Sequence, residues 1–464
     1  MINPRTLRFD DWAPALCGGE HAEAFLEDGS GTSLHFEDSR LQEVLSGTDR
    51  GVGLRFLRKN GERTFETVLG SLNSLDPAEA RALSGRLLNG SARPRPPKGG
   101  PIEYHRHFVR RHPFQVPIEE KVALLQQADE AARAVSPFVK QVNAVYAERM
   151  RRFAVLDSSG GCRMGERSVV IFYVSVTAEK DGILQTGGEV IGGLKGFELF
   201  EEYSTARAAR IAANTAVSKL DAPLAPAGEM MVVLSSSAGG TLIHEAIGHS
   251  LEADHIQEGT SPHYAGKLGQ TVAQPFLTII DDPTMPYARG SYPFDDEGTP
   301  AKPTTVIKDG VLVDYLYDRL TAFKDGRESN GHGRREGFRH RPIPRMSNLY
   351  IAPGKDDPKA IVRSVKRGLL VTKMGGGQVN TATGEFVFGV DEGFLVEEGR
   401  IKHLVRDANL LGDGPEVLRT VDMLGWDIGW GIGTCGKDGQ GVPVSDGQPT
   451  LRIPKLLVGG REEK

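Results

Sequence analysis

Cysteine is scarce in this chain: 3 residues in 464, at Cys17, Cys162 and Cys435. Three thiols so far apart exclude a disulfide framework and fit a reduced, cytoplasmic setting. Long apolar runs are missing too. No stretch approaches the roughly 18 apolar residues of a spanning helix, so no membrane segment is expected. The opening, Met1-Ile2-Asn3-Pro4-Arg5 running into Asp10-Asp11-Trp12, contains no apolar h-region, and no signal peptide is expected. Nor is positive charge in excess. The formal net charge is -5 and the pI about 6.2, which leaves no basic footprint for nucleic acid.

What is abundant is glycine, 57 residues, and that points to many tight turns and to β structure. At roughly 150 residues per domain the length allows two to four domains with real cores. Short strands are expected from about residue 30 to 75, with an Asn-Gly hairpin turn at Lys59-Asn60-Gly61. A helix opens at Asp76-Pro77 and runs to Leu88, and helical spacing recurs from Ile118 to Val135. Strands follow at about 141–156 and 168–179, then an Ala/Arg-rich helix from Thr205 to Lys219. Residues 91–101 read as a Pro/Gly/Arg surface loop. The Pro/Ala run Asp221–Gly228 marks a boundary, giving an N-terminal strand–helix domain (1–225) and a C-terminal domain (226–464). The second is read as mainly β, from hairpins at Asp309-Gly310 and Glu398-Gly399. The fold class is therefore α+β, a sandwich or barrel carrying a metal-binding helix, and not a parallel βαβ sheet.

That helix contains His244-Glu245-Ala246-Ile247-Gly248-His249, which reads as a zinc site with its own general base. It resembles the zincin H-E-x-x-H signature with one extra residue. At i,i+4 two histidines lie about 40° apart around a helix; at i,i+5 they lie about 140° apart and cannot share an ion. The helix must therefore widen by one residue, as a π-bulge does, and Gly248 is placed to tolerate the distortion. Catalytic zinc takes three protein ligands and a water, so one ligand is missing. Glu252 and His255 lie close by. Cys435 lies far off among glycines, a setting that equally suits a small buried hydrophobe. The residues alone leave His255 and Cys435 level.

A resemblance separates them. The blocks His244–Glu252, Phe294–Pro300, Gly333–Glu336, Pro344–Asn348, Gly375–Val379 and Cys435–Gln440 resemble, in order, the TldD/PmbA family of zinc-dependent proteases, on its TldD-like side. The resemblance implies that His244, His249 and Cys435 hold Zn2+ and that Glu245 is the catalytic base. It implies a metalloprotease that hydrolyses unfolded or short peptides, paired with a PmbA/TldE-like subunit or with itself as a C2 or pseudo-C2 dimer. His255 is then a surface or supporting residue.

Other features carry weaker expectations. Gly375, Gly376, Gly377 and Gln378 are candidate substrate-binding residues, because side-chain-free backbone suits pairing with an extended peptide; a tight turn is the plainer reading. Tyr292, His332 and Arg334 are candidate oxyanion donors. The basic run around Arg334, Arg335 and Arg345 is expected to pair with Asp295, Asp296 and Glu297. Trp426 and Trp430 read as core or interface anchors. His105, His107 and His112 read as a solvated basic face, with a second metal as the sharper option. Two other functions keep a claim: a zinc amidase on a small molecule, which would need an enclosed pocket, and a non-catalytic subunit of a protease heterodimer, which would lack the metal residues.

Overall fold

The computed structural model describes residues 2–61, 64–89 and 96–460. Residues 91–95 of the Pro/Gly/Arg loop, and the hairpin tip just after Gly61, lie outside the described residues. The fold is α+β with a mainly β C-terminal region.

The N-terminal sheet has seven strands, built on the long meander His21–Glu37, Arg40–Lys59, Val139–Asp157 and Cys162–Lys180. These strands run longer than the sequence pattern suggests. Their alternation is interrupted where charged residues face inward, and those residues prove to be partnered. Helices Ile118–Arg133 and Thr205–Leu220 cover one face. The second presents Ala208, Ala209, Ala212, Ala213 and Ala216 to the sheet, and these small side chains let it pack closely. Helix Pro77–Leu88 begins as expected, with Asp76 accepting from the Ala78 N–H and proline in the first turn.

In the C-terminal region, strands Gly228–Leu234, Leu451–Gly459, Asn409–Asp413, Glu385–Glu397 and Arg367–Val379 pair in a closed circuit. Each of these strands is paired on both sides over part of its length, as in a barrel. A second, six-stranded sheet carries the antiparallel pair Gly429–Lys437 and Gln440–Gln448. The pair turns at Asp438-Gly439, both with positive φ (50° and 70°), as a two-residue hairpin requires. The segment holding the two histidines packs among Val232, Ile279, Leu349 and Val444 in the largest core.

The two regions meet through charge. Arg55, fully buried, donates to Glu23 at 3.0 Å and to Glu297. Arg335 reaches Glu23, while Asp296 faces Arg151 at 3.7 Å and Arg167 at 3.4 Å. Phe338 lies directly on the sheet, and Gly53 makes room: a Cβ there would sit 2.1 Å from the Phe338 carbonyl oxygen. The expected pairing of the arginine run with the acidic triplet therefore holds only in part. Asp296 accepts from the Arg335 backbone, but most of the cations facing the triplet come from the N-terminal sheet, which sequence proximity could not reveal.

Candidate metal centre

The helix that opens at Thr241 changes character at once. His244–Gly248 is a π-turn, and the His249 N–H bonds the His244 carbonyl, an i→i+5 link. The expected π-bulge is present. The role expected of Gly248 needs correction. Its backbone is ordinary right-handed helix (φ -57°, ψ -51°), so it relieves no torsional strain. Space is what demands glycine: a Cβ would lie 2.0 Å from Met346 Sδ and 2.8 Å from Leu349 Cδ2.

The widened turn brings both imidazoles to one side, with ring centres 5.3 Å apart and planes nearly perpendicular. Cys435 arrives from the strand Gly429–Lys437. Its Sγ lies 3.4 Å from His249 Nε2, and the ligand atoms of His244, His249 and Cys435 all lie within 4.8 Å of one another. All three residues are buried. Burial alone would push the Cys435 thiol up. Hydrogen bonds and charge from His244 and His249 outweigh it and bring the thiol down to about 4. His244 Nδ1 is buried without a hydrogen-bond partner. Two nitrogens and a thiolate, converging and incompletely satisfied, form a donor set that fits zinc.

Glu252 is not a fourth ligand. Its Oε2 accepts from His249 Nδ1 at 2.9 Å, which leaves Nε2 facing the cysteine. Lys437 Nζ in turn donates to Glu252 (3.0 Å), to Asp254 (2.7 Å) and to the Pro344 carbonyl (3.2 Å). Lys437 and His249 hold the Glu252 carboxyl well below the usual range against the upward push of burial. Glu252, Asp254 and His255 are also grouped closely enough for an ion. Lys437 already supplies that group's positive charge, and His255 Nδ1 is engaged with Thr260 Oγ1 at 2.9 Å. Glu252 thus orients the His249 ring and turns its Nε2 toward Cys435. Its partner Lys437 was visible only as part of the Cys435–Gln440 block.

Glu245 lies on the π-turn with its carboxylate 3.9 Å from His249 Nε2 and its side chain 35% exposed, so solvent reaches it. The oxyanion candidates are otherwise occupied. Tyr292 donates to the Gly331 carbonyl, His332 contacts Thr304 Oγ1, and Arg334 donates to the Met346 and Pro443 carbonyls. All three are buried in the framework. Gly375, Gly376, Gly377 and Gln378 fall in the strand Arg367–Val379, not in a turn; Gly375 is half-buried and the other three are exposed. Trp426 and Trp430 do not anchor the core: they are 62% and 39% exposed.

Comparison with known proteins places the chain in a family. Three family models match the chain: PmbA/TldA metallopeptidase domain 1 over residues 22–84, the central domain over 111–220 and the C-terminal domain over 227–460. A metalloprotease TldD homolog of Haemophilus influenzae is 35% identical over 95% of this chain and 93% of its own length. A relative in Saccharolobus solfataricus, 27% identical over 74% of this chain and 76% of its own, is named a zinc metalloprotease. Among solved structures, a Thermotoga maritima protein titled a putative modulator of a DNA gyrase shares the fold (TM-score 0.76, 23% identity, 95% of this chain and 96% of that one). So does TldE of Thermococcus kodakarensis (TM-score 0.73, 16% identity, 95% and 97%). Among the described residues, no helix is long and apolar enough to cross a membrane. The chain belongs to the PmbA/TldD family of metallopeptidases.

Proposed function

We propose that this chain is a zinc-dependent peptidase in which His244, His249 and Cys435 hold the metal and Glu245 is the catalytic base. The observation that carries the reading is the convergence of those three ligand atoms within 4.8 Å beside a solvent-reached carboxylate. Bound there, zinc supplies Lewis acidity toward a carbonyl and toward water. Glu245 takes the proton of the attacking water and delivers it to the leaving amine, so one carboxylate serves both halves of the reaction. Glu252 fixes the His249 ring with Nδ1 protonated, which keeps Nε2 available as a ligand.

The substrate is read as an extended peptide. Strand Arg367–Val379 pairs with strand Gly228–Leu234 only over Gly368–Val371. Past Thr372, that edge has no strand beside it among the described residues, and it includes Gly375, Gly376, Gly377 and Gln378. The same strand packs against the π-turn, so a peptide added to this edge would run beside the metal residues. A subunit of the TldE type, or a second copy, is the expected partner.

The test is cleavage of an unfolded polypeptide by the purified chain, alone and with a TldE-type partner. Glu245→Gln is expected to retain zinc and to lose turnover by about 10²-fold or more. A variant that loads zinc and cleaves at the wild-type rate would end the assignment.

A further inference from the structure

His107 and His112, which the peptidase reading does not use, line a cavity of about 320 Å3 beside strand Cys162–Lys180 of the N-terminal sheet. Strand Cys162–Lys180 has a neighbour on one side throughout. On its other side, Glu103–His105 pairs with Arg163–Gly165, and Ile183–Gly193 pairs with Val170–Lys180. Residues 166–169 therefore have no strand beside them on that edge. Into this gap fold residues 106–112, and the result is a notch with polar walls.

Its polar groups are unspent. His107 Nε2, His112 Nδ1, Arg167 Nε and Ser168 Oγ are all buried and all without a hydrogen-bond partner. Ser168 is only 3% exposed. Arg106, Arg152 and Arg167 line the notch together with one carboxylate, Glu166, which Arg152 contacts at 2.9 Å. Asp296 lies behind Arg167 at 3.4 Å, and Glu198, whose oxygens accept from the backbone N–H groups of Gly196, Arg110 and Arg111, acts on His107 from outside the lining. A metal does not fit: among the described residues, the groupings able to hold an ion do not include these histidines. A cavity lined by three guanidinium groups, with idle donors on Arg167 and Ser168, suits an acceptor-rich anion.

We propose that this notch is a binding site for a small oxyanion, a phosphate monoester or a carboxylate, held by Arg106, Arg167, His107, His112 and Ser168. The site is separate from the metal centre and does not depend on the peptidase reading. The histidines donate from their free nitrogens when the ring is protonated, the form that a bound anion favours, because their other nitrogens face the Leu194 backbone and Met150 Sδ. Arg106, exposed at the mouth, supplies the charge that draws the anion in.

The test is isothermal titration of the full, zinc-loaded chain with inorganic phosphate, glycerol 3-phosphate and succinate, with sodium chloride at matched ionic strength as reference. Saturable binding of one of the oxyanions is expected. Arg106→Ala and Ser168→Ala are each expected to weaken it, the former by about tenfold or more, with zinc content unchanged. Arg106 is a surface residue, so that variant tests binding without testing folding. Tighter binding of the phosphates identifies a phosphorylated ligand, and tighter binding of succinate a carboxylate; both support the site. Heats no larger than those of chloride, or both variants binding as the wild type does, would overturn it.

Discussion

Two regions of this molecule bury charged and polar groups, and they do so to opposite ends. Where the N-terminal sheet meets the acidic triplet, Arg55, Glu23, Arg335 and Glu297 lie fully inside and pair their charges with one another, and the atoms left over, Arg55 Nε and Nη1 and Arg335 Nε, are donors that no cation can use. At the π-turn, His244, His249 and Cys435 are just as buried, yet their lone pairs converge on one point and His244 Nδ1 has no partner at all. The first arrangement closes a junction. The second leaves coordination capacity open. Residue type does not distinguish them; what does is whether each group's partner is protein.

The comparison is broken most forcefully at the junction. Arg55→Met would take from Glu297 its guanidinium partner in a dry interior and leave Glu23 with Arg335 alone. A loss of about 3–5 kcal/mol is expected in denaturant unfolding, because removing one member of a buried pair leaves an uncompensated charge. Zinc stoichiometry of the protein that remains folded should not change. A variant as stable as the wild type would mean that the junction is held by Phe25, Phe153, Phe294 and Phe338 alone.

A smaller effect is expected from Asp318, a buried carboxyl beside Glu297. Burial and the neighbouring Glu297 raise the Asp318 carboxyl to about 7. An acid raised by folding stabilises the fold while it is protonated. That contribution is complete below about pH 4, the unfolded value, and is lost as pH rises through about 7. Asp318→Asn keeps an acceptor for the Thr321 N–H, which Asp318 Oδ1 accepts at 2.8 Å. The variant is expected to be more stable than the wild type at pH 8 by on the order of 1–3 kcal/mol, with the difference vanishing toward pH 4. Unfolding curves at the two pH values read it directly; a pH-independent difference would point to a lost cap instead.

The same contrast explains what the sequence made legible. His244, Glu245 and His249 declare themselves because they are local: two histidines five residues apart can face one ion only if the helix between them widens. Cys435 lies 186 residues beyond His249 and needed the family resemblance. Glu252 was visible as a carboxylate but not as an orienter, since that role depends on Lys437 from a distant strand. Arg335 was assigned to the acidic triplet beside it in the pattern, and it also reaches Glu23, 312 residues away. Helix Pro77–Leu88 was legible from its Asp-Pro start. The beginning of strand His21–Glu37 was not, because its inward Glu23 and Glu27 break the apolar alternation that marks a strand.

Glu252 belongs to both kinds of site, so it sharpens the comparison best. It is fully buried and paired with Lys437, like a junction residue, but its other bond goes to His249, one of the proposed metal ligands. In Glu252→Gln the amide keeps the volume, and Lys437 keeps Asp254 and the Pro344 carbonyl. What is lost is the charge that raises the basicity of His249 and fixes its ring. Zinc affinity, measured by competition with a chelator, should fall by about 10–100-fold. Glu23→Gln is the matched control: an equally buried carboxylate, bonded to Arg55 and Arg335, whose loss should cost stability and leave zinc affinity unchanged. If the two variants bind zinc alike, the buried charge around the π-turn is structural after all, and the line between closing a junction and poising a metal site has been drawn in the wrong place.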